Sequence, residues 1–133
     1  MAKVHKILIV EDDDLLRESL KGIIEWENHV VDAAPEGQSA LEMLRAMDQL
    51  PDIIFLDLNM PRMSGHEFLK HQKLETPAIA AIPVVVMTAV PDVQVSGVAA
   101  LMRKPMDFDD IVGRLNALLE QTASRQTDSR LQS

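Results

Sequence analysis

The chain has 133 residues, 47% of them hydrophobic and 26% charged, with a formal net charge of −8 and a pI of about 4.8. That size suits one compact domain with its own core, and the acidity argues against direct binding of nucleic acid or anionic membrane through a basic face. No cysteine is present, which excludes disulfides and thiolate metal or redox chemistry and fits a reducing, cytoplasmic setting.

The first apolar run, Ile7 to Val10, is continuous rather than alternating, as in a strand covered on both faces. Basic residues before it give a superficial likeness to a leader peptide. Glu11-Asp12-Asp13-Asp14 then stands where a longer apolar region would be needed, so the segment reads as mature sequence. Leu16, Leu20, Ile23 and Ile24 follow at helical spacing, Trp26 is expected to pack, and Asn28 suits a left-handed helix end. Val30-Val31 is a weaker strand candidate. Pro35-Glu36-Gly37 opens a second helix, and Pro51 precedes a second strong strand, Ile53 to Leu56, ending in Asp57.

Ser64 can cap a helix containing Phe68 and Leu69. Within it, His66 and His71 are five apart, one too many for a shared zinc-binding face, and are expected in solvent. His5 and His29 are expected to be structural or exposed. The many methionines read as core filling. Val84 to Met87 is the next strong strand, ending in Thr88. Between Val90 and Leu101 too few residues remain for a full helix, and one or two turns are expected. Leu101-Met102 forms a last weak strand, followed by Lys104-Pro105. Asp107 then caps a helix whose stripe is Phe108, Ile111, Val112, Leu115, Leu118 and Leu119. The domain is expected over 1–120, with a polar, disordered tail over 121–133. No run approaches the roughly 20 apolar residues of a membrane span.

Strands alternating with helices predict an α/β fold, a doubly wound parallel sheet of five strands with a shortened or missing fourth helix. Ligands in such sheets bind outside the carboxyl ends of the strands. There the sequence sets Glu11, Asp12 and Asp13, then Asp57, Thr88 and Lys104. Clustered carboxylates repel unless a cation offsets them, and Mg²⁺ takes oxygen ligands from carboxylates, water and phosphate. Asp57 could act as a nucleophile forming an acyl phosphate, with Thr88 and Lys104 holding phosphoryl oxygens.

The runs Ile7-Leu8-Ile9-Val10-Glu11-Asp12-Asp13, Pro51 to Pro61, Val84-Val85-Val86-Met87-Thr88-Ala89 and Arg103-Lys104-Pro105, in order, resemble the CheY-like receiver domain of response regulators. Met60-Pro61-Arg62-Met63-Ser64-Gly65 adds to the resemblance, which covers about residues 5 to 120. It implies a flavodoxin-like strand order, 2-1-3-4-5. It implies a phospho-acceptor at Asp57, served by a phosphohistidine of a sensor histidine kinase or histidine phosphotransfer protein. Mg²⁺ would be held by Glu11 and Asp12, by Asp57 and by the Asn59 backbone carbonyl. Asp13 either adds a third acid or begins the first helix. Thr88 matches the switch hydroxyl, Lys104 the phosphate-pairing ammonium, and a cis bond is implied before Pro105.

Two departures accompany the resemblance. Leu101 stands where the family carries Tyr or Phe, and the stretch from Thr88 to Lys104 is about six residues short, worth roughly 9 Å of helix. The expected function is a single-domain phosphorelay switch rather than an enzyme, with an unknown downstream protein and a possible homodimer. Two alternatives stand beside it. One is a receiver-like module acting without phosphorylation. The other is an aspartyl-phosphate phosphatase, against which Asp57-Leu58-Asn59 offers an amide where a proton donor is needed.

Overall fold

The continuous apolar runs become the centre of a five-stranded parallel sheet in the order β2-β1-β3-β4-β5, as expected. The computed structural model describes residues 3–132, with side chains described through residue 121. Its elements are β1 (Lys6–Val10), α1 (Asp14–Trp26), β2 (Val30–Ala34), α2 (Gly37–Ala46), β3 (Ile53–Asp57), α3 (Gly65–Lys73), α4 (Pro77–Ala80), β4 (Val84–Thr88), β5 (Ala100–Arg103) and α5 (Phe108–Gln132). The tail expected over 121–133 lies, from residue 122 on, outside the described side chains.

Every residue of β3 and β4 is buried, because helices cover both faces of the sheet. Successive side chains along a strand point to opposite faces. Leu8, Val10, Ile54, Leu56, Val84 and Val86 accordingly pack with Leu41, Leu44, Phe68 and Ile79 from α2, α3 and α4. Ile7, Ile9, Ile53, Phe55, Val85 and Met87 pack with Leu20 and Ile24 of α1 and Ile111, Leu115 and Leu118 of α5. Each fully buried side chain of this size contributes about 1.5–3 kcal/mol relative to exposure. Met63, Met87 and Met102 are buried, as core filling predicts.

The predicted helix boundaries have physical counterparts. Asn28 has φ 68°, in the left-handed region, just beyond α1. Ser64 and Glu67 form a reciprocal capping box on α3. Asp107 accepts from the Asp110 N–H at 2.8 Å. Asp13 is the N-cap of α1, accepting from Leu16, which resolves its two readings in favour of the helix.

Three expectations need correction. Trp26 does not pack; it is 79% exposed. It lies two residues past the inward Ile24, about 200° around the helix, on the outer face. Phe108, assigned to the apolar stripe of α5, is 46% exposed in its first turn. Between β4 and β5 not even one helical turn forms. Val93, Val95 and Val98 instead pack against the core while Asp92, Gln94 and Ser96 face solvent, so this crossover is a strap pinned by valines. The short helix α4 was not anticipated.

Candidate functional site

Strand register brings the acids together. Val10 pairs with Leu56 across β1 and β3, so Glu11 and Asp57, each the next residue, leave the sheet side by side. Asp57 pairs in turn with Met87, and Thr88 with Arg103, which sets Thr88 and Lys104 on the same rim. Each of Glu11, Asp12 and Asp57 offers a carboxylate oxygen within 4.8 Å of the others. Glu11 and Asp57 are buried, at 0% and 3% exposure, whereas Asp12 is exposed.

Lys104 crosses the acids from β5's end. Its Nζ donates to Glu11 Oε1 at 2.7 Å and lies 3.2 Å from Asp57 Oδ1. Burial pushes the Glu11 carboxyl up to about 7, against the lowering bonds from Lys104 and the Asp13 N–H, and Asp57 raises it further. Burial alone would pull Lys104 down. The Glu11 hydrogen bond and the Asp57 and Glu11 charges outweigh it and hold the ammonium above its ordinary value. One ammonium is therefore shared by the two buried acids, and the exposed Asp12 lies beside them without it.

The remaining predicted residues surround Asp57. The Asn59 N–H donates to Asp57 Oδ1 at 3.3 Å, while its side chain is exposed. Thr88 is fully buried, and its hydroxyl oxygen accepts from the Val90 N–H at 3.0 Å. The Lys104 N–H donates to the Thr88 carbonyl at 2.8 Å, and the bond from Lys104 to Pro105 is cis, as the resemblance implied. Leu101 is half-buried against the core cluster that holds the valine strap.

Two contributors escaped sequence reasoning. Gly65 lies so close to the end of β3 that an added Cβ would sit 2.6 Å from both the Asp57 carbonyl oxygen and Leu58 Cα. Its N–H donates to the Leu58 carbonyl at 2.8 Å. Only the Gly in the Met60 to Gly65 run hinted at this close approach. Arg17, whose guanidinium reaches back to the Glu11 carbonyl, gave no signal at all.

The acid set fits Mg²⁺ on its chemistry. All its donors are carboxylate oxygens, two on buried residues and one on an exposed residue, where water can complete a shell. His66 and His71 are exposed, as expected, and take no part. His5 and His29 sit half-buried at the opposite end of the sheet, where the His5 N–H donates to His29 Nδ1 at 3.0 Å. Among the described residues no helix is long and apolar enough to cross a membrane.

A doubly wound sheet with buried acids and an ammonium at its carboxyl rim is the layout of open α/β proteins, whose ligands bind outside the strand ends. The chain belongs to the response regulator receiver domain family, whose pattern matches residues 7–116. It is 34% identical over 124 residues to the two-component response regulator PhoP of Pseudomonas aeruginosa, a match covering 89% of this chain and 53% of that protein. It thus spans about half the length of the curated relatives it matches. A response regulator structure from Chloroflexus aurantiacus superposes with a TM-score of 0.78 at 27% identity, covering 89% of this chain and 99% of that one. NtrX from Brucella abortus gives 0.85 at 25% identity, over 97% of this chain and 30% of NtrX. Response regulators of two-component systems receive phosphoryl groups from histidine kinases, and their receiver domains are phosphoacceptors.

Proposed function

We propose that Asp57 is the residue of this chain that accepts the phosphoryl group, from a phosphohistidine of a sensor histidine kinase or histidine phosphotransfer protein, with Mg²⁺ required. The observation that carries this reading is the convergence of Glu11, Asp12 and Asp57 with Lys104 on one rim. A carboxylate oxygen of Asp57 attacks the phosphorus, the bond from phosphorus to the donor imidazole nitrogen breaks, and the imidazole leaves with its electron pair. Lys104, already bonded to Asp57, follows the charge onto the phosphoryl oxygens, and the Thr88 hydroxyl donates to one of them. Glu11, Asp12, Asp57 and the Asn59 carbonyl would hold Mg²⁺, which supplies neutralisation of the phosphoryl charge.

An acyl phosphate on Asp57 changes what the Thr88 hydroxyl bonds, and Thr88 is tied to Val90 at the start of the valine strap. The strap and β5 are therefore the proposed route of output to a downstream protein. Leu101 takes part there by packing, since it carries neither ring nor hydroxyl. A cytoplasmic location is consistent with this chemistry.

The test is intact-mass spectrometry with Mg²⁺ and acetyl phosphate as donor. One phosphoryl group is expected on the wild type and none on Asp57→Asn or in excess chelator. Phosphorylated Asp57→Asn protein would remove the assignment.

A further inference from the structure

The phosphoryl chemistry above leaves Arg17 without a role. It lies four residues after the α1 cap, and its backbone N–H bonds to the Asp13 carbonyl at 2.9 Å. Long side chains on a helix lean toward its N-terminus, and this one reaches beyond the first turn. Nη1 donates to the Glu11 carbonyl oxygen at 2.8 Å, and Nη2 pairs with the Asp14 carboxylate. The Arg17 side chain is 15% exposed against 87% for Asp14. The ion pair is thus open to solvent and weak. The carbonyl bond is the sheltered half.

That bond completes the anchoring of Glu11. Its N–H donates to the Ala34 carbonyl of β2 at 3.1 Å, continuing the strand ladder. With its carbonyl held by Arg17, the rigid peptide plane between Glu11 and Asp12 is fixed. The Glu11 carboxylate has its own partners, Lys104 on Oε1 and the Asp13 N–H on Oε2. Asp12 differs. Its exposed carboxylate has no hydrogen-bond partner among the described residues, so its aim into the cluster comes from the backbone that carries it.

We propose that Arg17 is a positioning residue for the acid cluster, holding the Glu11 carbonyl so that the Asp12 carboxylate faces Asp57, and thereby setting the affinity for the divalent cation. The inference rests on the reading of the cluster as a Mg²⁺ site. It makes a prediction whose sign separates it from simple electrostatics. Removing the positive charge that Arg17 sets against the Glu11 carbonyl and Asp14, beside the cluster, would by itself tighten cation binding. Releasing the carbonyl loosens it. Positioning wins if the cation binds more weakly when the guanidinium is gone.

The experiment is Mg²⁺ titration by calorimetry of the wild type, Arg17→Met, Arg17→Lys and Asp14→Asn, with amide hydrogen exchange of the metal-free proteins. Arg17→Met is expected to bind Mg²⁺ about tenfold more weakly, the usual scale for losing a partner that orients a ligand. Its Asp12 to Asp14 amides should exchange faster before any metal is added. Arg17→Lys recovers part of the affinity because an ammonium still donates to a carbonyl, and Asp14→Asn stays within about twofold of wild type. Unchanged or tighter binding by folded Arg17→Met overturns the proposal, as does an equal loss in Asp14→Asn. If Arg17→Met does not fold, Arg17→Leu, which likewise lacks a donor, is judged by the same criterion. Failure of the wild type to bind Mg²⁺, or unaltered binding by Asp12→Ala, would instead remove the metal reading itself and this proposal with it.

Discussion

Glu36 shows how a single carboxylate in this chain ties stability to pH. It is the N-cap of α2, accepting from the Ser39 hydroxyl at 2.6 Å and from the Ser39 N–H at 2.8 Å. The hydroxyl bond first, and the amide bond second, hold its carboxyl below the ordinary value of 4.5. A folded pKa below the unfolded one means that the unfolded chain takes up its proton first as pH falls. The stabilisation is therefore complete above about pH 4.5 and disappears as pH drops through the lower, folded value. Glu36→Ala should lose about 1 kcal/mol at pH 7, the usual worth of an N-cap. In urea melts the gap between variant and wild type should narrow below pH 4.5. A gap that stays constant down to pH 3 would show that the charge contributes nothing to the cap.

Among the elements, α4 is held in place by one buried side chain. Gln72 of α3 is 3% exposed, and its amide nitrogen donates to the carbonyls of Ile79 at 3.0 Å and Ile82 at 3.1 Å. A four-residue helix cannot sustain itself, so these bonds and the buried Ile79 fix its path into β4. Gln72→Leu takes away the donor to the Ile82 carbonyl, while the Ile79 carbonyl keeps the Ile82 N–H at 3.2 Å, so the cost is that of one unpaired carbonyl, roughly 1–3 kcal/mol. The variant should melt earlier, and the amides of Ala80 to Ile82 should lose exchange protection before those of β3. Global melting without that local difference would contradict the role given to Gln72. This contact also shows why part of the fold was not legible. The strong strands announced themselves as unbroken apolar runs, and Asn28, Ser64 and Asp107 marked helix ends by their own backbone chemistry. Gln72 and Arg17 act by donating to backbone carbonyls, and a carbonyl belongs to every residue alike. The apolar spacing that revealed α1 could also have excluded Trp26 from its inner face, since Trp26 falls opposite Ile24. The crossover from β4 to β5, expected to hold a shortened helix or none, holds none, and the nearly extended spacing of Val93, Val95 and Val98 is the reason.

For the whole molecule, the candidate site was legible because parallel register converts distant positions into neighbours. Glu11 and Asp57 stand 46 positions apart and meet only because Val10 pairs with Leu56. The same convergence concentrates uncompensated charge at one rim of an already acidic protein, so a bound cation should stabilise the native state. Unfolding parts Asp57, at the end of β3, from Glu11 and Asp12, which follow β1, and abolishes the shared site. Ligand linkage then gives about 2.7 kcal/mol of added stability at a Mg²⁺ concentration one hundred times its dissociation constant. Chemical denaturation with Mg²⁺, and again with excess chelator, should differ by that amount in the wild type. The difference should shrink in Asp12→Ala, whose carboxylate is exposed and whose loss leaves the core untouched. Na⁺ at matched ionic strength serves as a control for screening, which acts on all surface charges alike. Equal stabilisation of wild type and Asp12→Ala by Mg²⁺ would assign the effect to diffuse screening of the net charge. Stabilisation confined to the wild type would tie the fold's stability to the rim where its strands end.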